Sequence, residues 1–238
     1  MAELMLDCYY VVSVAELLRI KLSVPYSEKD AAKAMGAKWD PADRVWYVSG
    51  ADHPAVKRWP PPPSVLPGED RSFGGSMLFV DLIPQSCWFT NARSALSRAE
   101  WQQVRLLVGG RAQWHCETCG SEGNHIHERW HYDQTNLKQS LRRLVCLCAD
   151  CHLSTHFGFA NVSGKTDEAF EHLCKVNHWS VDQARTHVDE AFDVWLSRNR
   201  FHWELDLAIL TNAGFHPAPP VARDDRAQVA TNRLTPAR

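Results

Sequence analysis

Two cysteine pairs with the same internal spacing constrain this chain more than any other feature: Cys116-Glu117-Thr118-Cys119 and Cys148-Ala149-Asp150-Cys151. Knuckles of this kind, about thirty residues apart, can close four thiolates on one tetrahedral zinc. The spacing therefore predicts a structural Zn²⁺ held by Cys116, Cys119, Cys148 and Cys151. A four-thiolate zinc has no open position for water, so it serves folding and any chemistry must lie beside it. Cys146 could compete as a ligand, but the spacing favours Cys148. Cys8, Cys87 and Cys174 read as small core residues.

Between the knuckles runs His125-Ile126-His127-Glu128-Arg129-Trp130-His131-Tyr132-Asp133. Along a strand, alternation puts His125, His127, Arg129 and His131 on one face and Ile126, Glu128 and Trp130 on the other. A return strand is expected over Leu141 to Leu147. His152 and His156 follow the second knuckle directly. On a helix they are four residues apart and share a face, a spacing that suits two imidazoles on one metal ion. The competing expectation is that these histidines only pack around the zinc.

The order knuckle, His-bearing strand, return strand, knuckle, His-bearing helix resembles the ββα-metal, or HNH, nucleases. Cys116-x-x-Cys119-Gly120, His127-Glu128-x-Trp130-x-Tyr132-Asp133 and Cys148-x-x-Cys151-His152-x-x-x-His156-Phe157-Gly158 carry the likeness. Phe79-Val80-Asp81-Leu82-Ile83-Pro84, Lys175-Val176-Asn177 and Trp203-Glu204-Leu205-Asp206-Leu207 extend it over residues 77–210. The resemblance implies metal-dependent hydrolysis of nucleic acid, DNA before RNA. His127 would take the proton of the attacking water, and His152 and His156 would hold a second divalent ion (Mg²⁺, Mn²⁺, Ni²⁺ or Zn²⁺). Two positions depart from the pattern. Ile126 stands where a metal ligand is usual. Arg143 stands near the middle Asn, whose orienting role would fall to Asn136. Arg129, Lys138, Arg142 and Arg143 are the cations expected near phosphates, unless they form an ordinary solvated face.

Upstream, Arg19 to Val24 alternates as a strand does, and Ser27 with Asp30 suggests an N-cap for a short helix ending near Gly36. Trp39 and Trp46 flank the turn Asp40-Pro41-Ala42-Asp43, which predicts a hairpin with the two tryptophans in a small core rather than on a base-stacking platform. Val24-Pro25-Tyr26-Ser27-Glu28-Lys29-Asp30, Ala32 to Asp40 and Val45-Trp46-Tyr47-Val48 resemble the DUF5710 module. The expected organisation is that module at 19–59, a proline-rich linker at 60–73, the HNH-like domain at 77–210 and a tail at 217–238. Ser97 and Ser180 read as capping boxes with Glu100 and Gln183, and Thr166 as a further N-cap. The helix after Ser97 carries Trp101, Val104 and Val108 on one face and is expected to stop at Gly109-Gly110. The helix after Ser180 shows a stripe from Val181 to Trp195, read as core packing, with His178 and His187 as ordinary surface or core histidines. The fold class is α+β.

Composition narrows the alternatives. At 238 residues with ten tryptophans there is enough apolar material for real cores. Glu3, Asp7 and Glu16 interrupt the apolar N-terminal stretch, which argues against a membrane span and a secretory leader. Cysteine-rich chains without a leader are expected in the reducing cytoplasm, with metal-bound thiols. A net charge of −2 argues against non-specific coating of nucleic acid but permits a local basic strip. The alternative to a nuclease is a non-catalytic zinc-binding module recognising nucleic acid or protein.

Overall fold

The computed structural model describes residues 19–41, 44–50, 52–61, 65–88 and 91–219. The protein is α+β, and it divides into two units, Met1–Pro62 and Pro63–Arg238. Cys8, Ala42, Asp43 and the tail from 220 onward lie outside the described residues.

In the first unit, β1 (Arg19–Leu22), β2 (Lys38–Asp40) and β3 (Val45–Ser49) form an antiparallel sheet in the order β1-β3-β2. Leu22, Val24, Ala32, Val48 and Trp59 fill its core, backed by α1 (Lys29–Ala34) and α2 (Pro54–Arg58). Ser27 lies in a 3-10 turn (Tyr26–Glu28), and α1 starts after Glu28 without a side-chain cap, so the expected cap does not form. Trp39 and Trp46 are cross-strand partners with ring centroids 5.6 Å apart. Trp39 is 46% exposed, however, and the buried tryptophan is Trp59 at 3%. Its indole donates to Glu28, which also pairs with Arg58. Edge-strand alternation turned Trp39 outward, and the small core is closed from α2 instead.

The second unit is built on a long hairpin, β4 (His125–Asp133) and β5 (Lys138–Leu147), with β6 (Glu204–Asp206) parallel to β5. A register shift at Arg129/Trp130 leaves one strand an extra residue, which twists the hairpin. One face packs Ile126, Trp130, Leu141, Leu144 and Cys146 against α4 (Arg98–Arg111) and α9 (Ala208–Thr211), with the short α3 (Ala92–Ala95) alongside. The other packs Val145 and Leu147 with residues of α5 (Ala149–Thr155), α6 (Phe157–Val162), α7 (Thr166–Asn177) and α8 (Val181–Arg198).

The capping boxes of Ser97 with Glu100 and of Ser180 with Gln183 both form. Thr166 does not cap α7, because Lys165 holds that place. Val181 is 55% exposed and drops out of the α8 stripe, while Ala184 and Val188 are buried. The helix α4 does not stop at Gly109-Gly110 but runs on to Arg111. Gly109 is a packing slot: a Cβ there would overlap the Trp114 ring. The chain expected to be linker is also partly core. Leu66 is buried and the Asp70 amide donates to the Arg142 carbonyl. The Glu69 carboxylate, fully buried, takes a two-pronged pair from Arg111 at 2.6 and 2.7 Å and the amides of Leu66 and Leu144. The Arg111 guanidinium and these amides hold the Glu69 carboxyl below its usual range against the opposing effect of burial. At the other end the unit continues past 210, since the His216 amide donates to Glu100 and the Ala218 amide to Ala95.

Removing one partner of a buried, hydrogen-bonded ion pair leaves the other charge uncompensated. Glu69→Ala should therefore destabilise the second unit by ~3–5 kcal/mol in urea unfolding at neutral pH, far more than truncation of an exposed acid such as Glu168.

Candidate metal centres

The two knuckles meet. Ligand atoms of Cys116, Cys119, Cys148 and Cys151 all lie within 4.8 Å of one another, with Cys119 and Cys148 sulfurs 3.6 Å apart. Tetrahedral zinc with ~2.3 Å bonds sets its sulfurs about 3.8 Å apart, so the four thiols can hold such an ion. The second knuckle doubles as a helix start: Cys148 is the N-cap of α5 and its sulfur accepts the Cys151 amide. The first knuckle is tied to β5 through Glu117, whose amide donates to the Cys146 carbonyl and whose carboxylate accepts the Cys146 amide. At Gly123 a Cβ would come within 2.9 Å of the Cys116 amide nitrogen, so glycine is required for the first knuckle to close.

The thiols are unequal. A hydrogen bond from Cys151 and several backbone amides lower Cys116 to about 4, while burial raises Cys148 to about 11. Burial also holds Cys146 at about 12. Cys146 is fully buried in the apolar core and takes no part in the cluster. Cys87 is likewise buried and Cys174 half-buried. One partner was missed from the sequence: His172 on α7 lies 3.2 Å from the Cys151 sulfur through Nε2. Its distance along the chain from the knuckle gave no spacing signal, and only the packing of α7 on α5 brings it in.

Beside the cysteines the histidines form a second cluster. His127, His152 and His156 place ligand atoms within 4.8 Å of one another. Their rings pack edge-on at 4.6 to 5.5 Å, and His125 stacks on His152 at 4.8 Å. His152 lies within α5, and His156 is the residue at which α5 ends and α6 begins. His127 is 2% exposed, and neither of its ring nitrogens has a hydrogen-bond partner among the described residues. Burial, then the neighbouring imidazoles, hold His127 well below the usual histidine range. Burial brings His152 to about 3 and His156 to about 4. All three are thus neutral near pH 7 and offer lone pairs to a cation.

The two departures from the HNH pattern differ. Ile126 packs into the opposite core but also lines the cleft beside the histidines. Arg143 turns to the carbonyls of Phe73 and Gly75 and to Glu117. Asn136 sits in the hairpin turn, bonded to Asp133, and orients nothing at the histidines. Glu128 is on the other face, accepting the Ala92 amide, with burial raising its carboxyl to about 7.

The expected phosphate contacts require correction. Arg129 and Arg143 are 4% and 7% exposed and are spent on loop carbonyls. The bulge and the covering 73–75 loop turned them inward. Lys138 and Arg142 are exposed, but neither lines the cleft that contains the histidines. That cleft, about 1360 Å³, has His127, His152 and His156 among its lining and takes its cations from Arg93, Arg98 and Arg105. Asp81 also lines it, its carboxyl raised to about 6 by burial despite Arg198 at 3.6 Å.

Residues 19–61 match the family described as domain of unknown function (DUF5710), the module the sequence resembles there. Two curated proteins of Escherichia coli, both named DNA primase TraC, are similar to this chain. One is 48% identical over 42 residues and the other 48% identical over 48 residues, or 17% and 20% of the chain. The matches span only 4% and 3% of those relatives' own lengths. No solved structure matches. Among the described residues no helix is long and apolar enough to cross a membrane.

An outer partner that orients a metal ligand typically matters about 10–100-fold in affinity. His172→Ala should weaken zinc retention by that order in chelator competition, with Cys174→Ala unchanged. Elemental analysis should find bound zinc in the wild type and lose it in Cys119→Ser.

Proposed function

We propose that the second unit is a metal-dependent endonuclease of HNH-like type, cutting phosphodiester bonds in nucleic acid, DNA in the first instance. The observation that carries this is His127, buried, with both nitrogens unpartnered, and facing two further neutral histidines in an open cleft. An unsatisfied buried polar group costs about 1–3 kcal/mol, which is tolerable where a ligand completes it. The hairpin with His127 on its first strand, followed by a helix bearing His152 and His156, supports the same reading.

Three imidazoles around one point favour a divalent ion with an open position, and their chemistry suits Zn²⁺ or Ni²⁺ better than Mg²⁺, which prefers oxygen. His152, His156 and His127 would hold it, with the four cysteines holding the structural zinc. Such an ion supplies a water acidic enough to act as nucleophile and stabilises charge on the phosphate. Convergence of all three rings favours His127 as a third ligand over the separate base that the resemblance implies. A base held well below the usual range accepts protons poorly, whereas a ligand needs only its lone pair. The 73–75 loop closes over Arg129 and Arg143, and the Ala92 amide at the start of α3 holds the Glu128 carboxylate.

The near-neutral charge and the burial of Arg129 and Arg143 favour a second reading, a recognition module without catalysis. Nicking of supercoiled plasmid by zinc-loaded protein with added Ni²⁺, Mn²⁺, Mg²⁺ or Zn²⁺ separates the two. The nuclease reading expects nicking, lost by about 100-fold or more in His152→Ala and His127→Ala, together with loss of the second ion in calorimetry. If His127→Ala binds that ion normally but does not cut, His127 is the proton acceptor. If the wild type fails to cut with every one of these ions, the recognition module stands.

A further inference from the structure

The cleft over the histidines carries more than its metal ligands. Arg98, Trp101, Gln102 and Arg105 all line it from α4. Their spacing of three, four and seven residues puts them on one helical face, with Arg98 and Arg105 two turns, about 10 Å, apart. Arg93 of α3 adds a third guanidinium. From α6, Phe159 and Val162 line the same cleft at i and i+3, and they are 63% and 73% exposed. Large apolar side chains left this open beside a row of cations are unusual for a face with no partner. Of the carboxylates that reach the cleft, Asp81 is paired with Arg198, while Glu128 accepts the Ala92 amide and interacts with Arg93, which leaves Arg98 and Arg105 as the main cations of the row.

Resting on the nuclease reading, we infer that this cleft is a groove for one unpaired nucleic-acid strand, with Arg93, Arg98 and Arg105 along its phosphates and Phe159 under a base. Guanidiniums at helical spacing can follow a backbone, and an exposed aromatic offers a stacking face. A duplex cannot use that face, because its bases are already stacked on one another. A mononucleotide fits poorly as the intended ligand, since the cavity of about 1360 Å³ exceeds the usual 300–1,000 Å³ of small-molecule sites. The net charge of −2 fits a groove that binds through a few placed contacts rather than a field over the whole surface.

The test is fluorescence anisotropy with the full, zinc-loaded chain and no added divalent ion. The probes are a labelled oligothymidine, a duplex of the same length and thymidine monophosphate as competitor. The groove predicts the single strand binding at least about tenfold tighter than the duplex, with affinity falling steeply as salt rises. Arg98→Glu/Arg105→Glu should weaken strand binding by about tenfold or more and flatten the salt dependence. Phe159→Ala, at an exposed position that folding does not need, should weaken the strand by roughly tenfold and leave the duplex unchanged. Equal or tighter binding of duplex, or strand binding unaffected in both variants, overturns the groove. Should the double variant misfold, Arg93→Glu with Phe159→Ala decides in its place. A protein that binds strands in this way but fails to cut with any of the ions loses the nuclease reading and keeps the groove. One that cuts duplex and ignores single strands keeps the nuclease reading and loses the groove.

Discussion

The second unit depends on where the second knuckle falls. Cys148 is at once a member of the four-thiol cluster and the N-cap of α5, and Cys151 lies in the first turn of that helix. Gathering the thiols therefore sets the origin and direction of α5, and His152 and His156 follow within its next turns. The first knuckle is anchored to the same strand end, since the Glu117 amide donates to the Cys146 carbonyl and the Glu117 carboxylate accepts the Cys146 amide. The cluster thus joins the entrance of β4 to the exit of β5, closing a loop whose ordering entropy the hairpin alone would have to meet. His127 is fixed separately, by its place on β4 opposite Val145. The three-imidazole cluster is where these two independently held elements cross.

That arrangement divides the hairpin into two faces with different tasks. Ile126, Trp130 and Leu144 on one face supply apolar burial against α4 and α9. The other face carries polar groups at a depth where each needs a partner. Arg129 and Arg143 find theirs in the carbonyls of Phe73 and Gly75, which is why the chain after the proline-rich stretch folds back over the sheet. Glu69 and Arg111 pin the start of that return. Among the described residues on this face Arg143 leaves only its Nε without a partner, whereas His127 has none at either ring nitrogen, which makes it chemically distinctive.

How much of this could be read from the residues followed from the range of each signal. The cysteine spacing, the His152/His156 pairing, the hairpin and the two capping boxes are local patterns with one structural solution each, and they appear where expected. The direction of Arg129 and Arg143 is not local. Alternation placed them on the histidine face, but only the returning 73–75 loop decides that they are buried. The same limit hid His172, which reaches Cys151 from a distant helix, and the Arg98–Arg105 row, which in sequence looks like any charged amphipathic helix. Gly109-Gly110 misled for the opposite reason: a strong helix-stop signal yielded to tertiary packing, because the Trp114 ring needs the space a side chain would fill.

The relation between the clusters also bears on what each can do alone. Four thiolates satisfy a zinc completely, so that centre adds rigidity and no open position. Three imidazoles would leave a cation short of its shell, so on the proposed reading that cluster is where an open position would lie. Burying His127 without partners costs stability, and its place on β4 opposite Val145 is what holds it there. Two adjacent but separate donor sets thus share one short stretch of chain, Cys148 to His156, each completed by residues from before or within the hairpin.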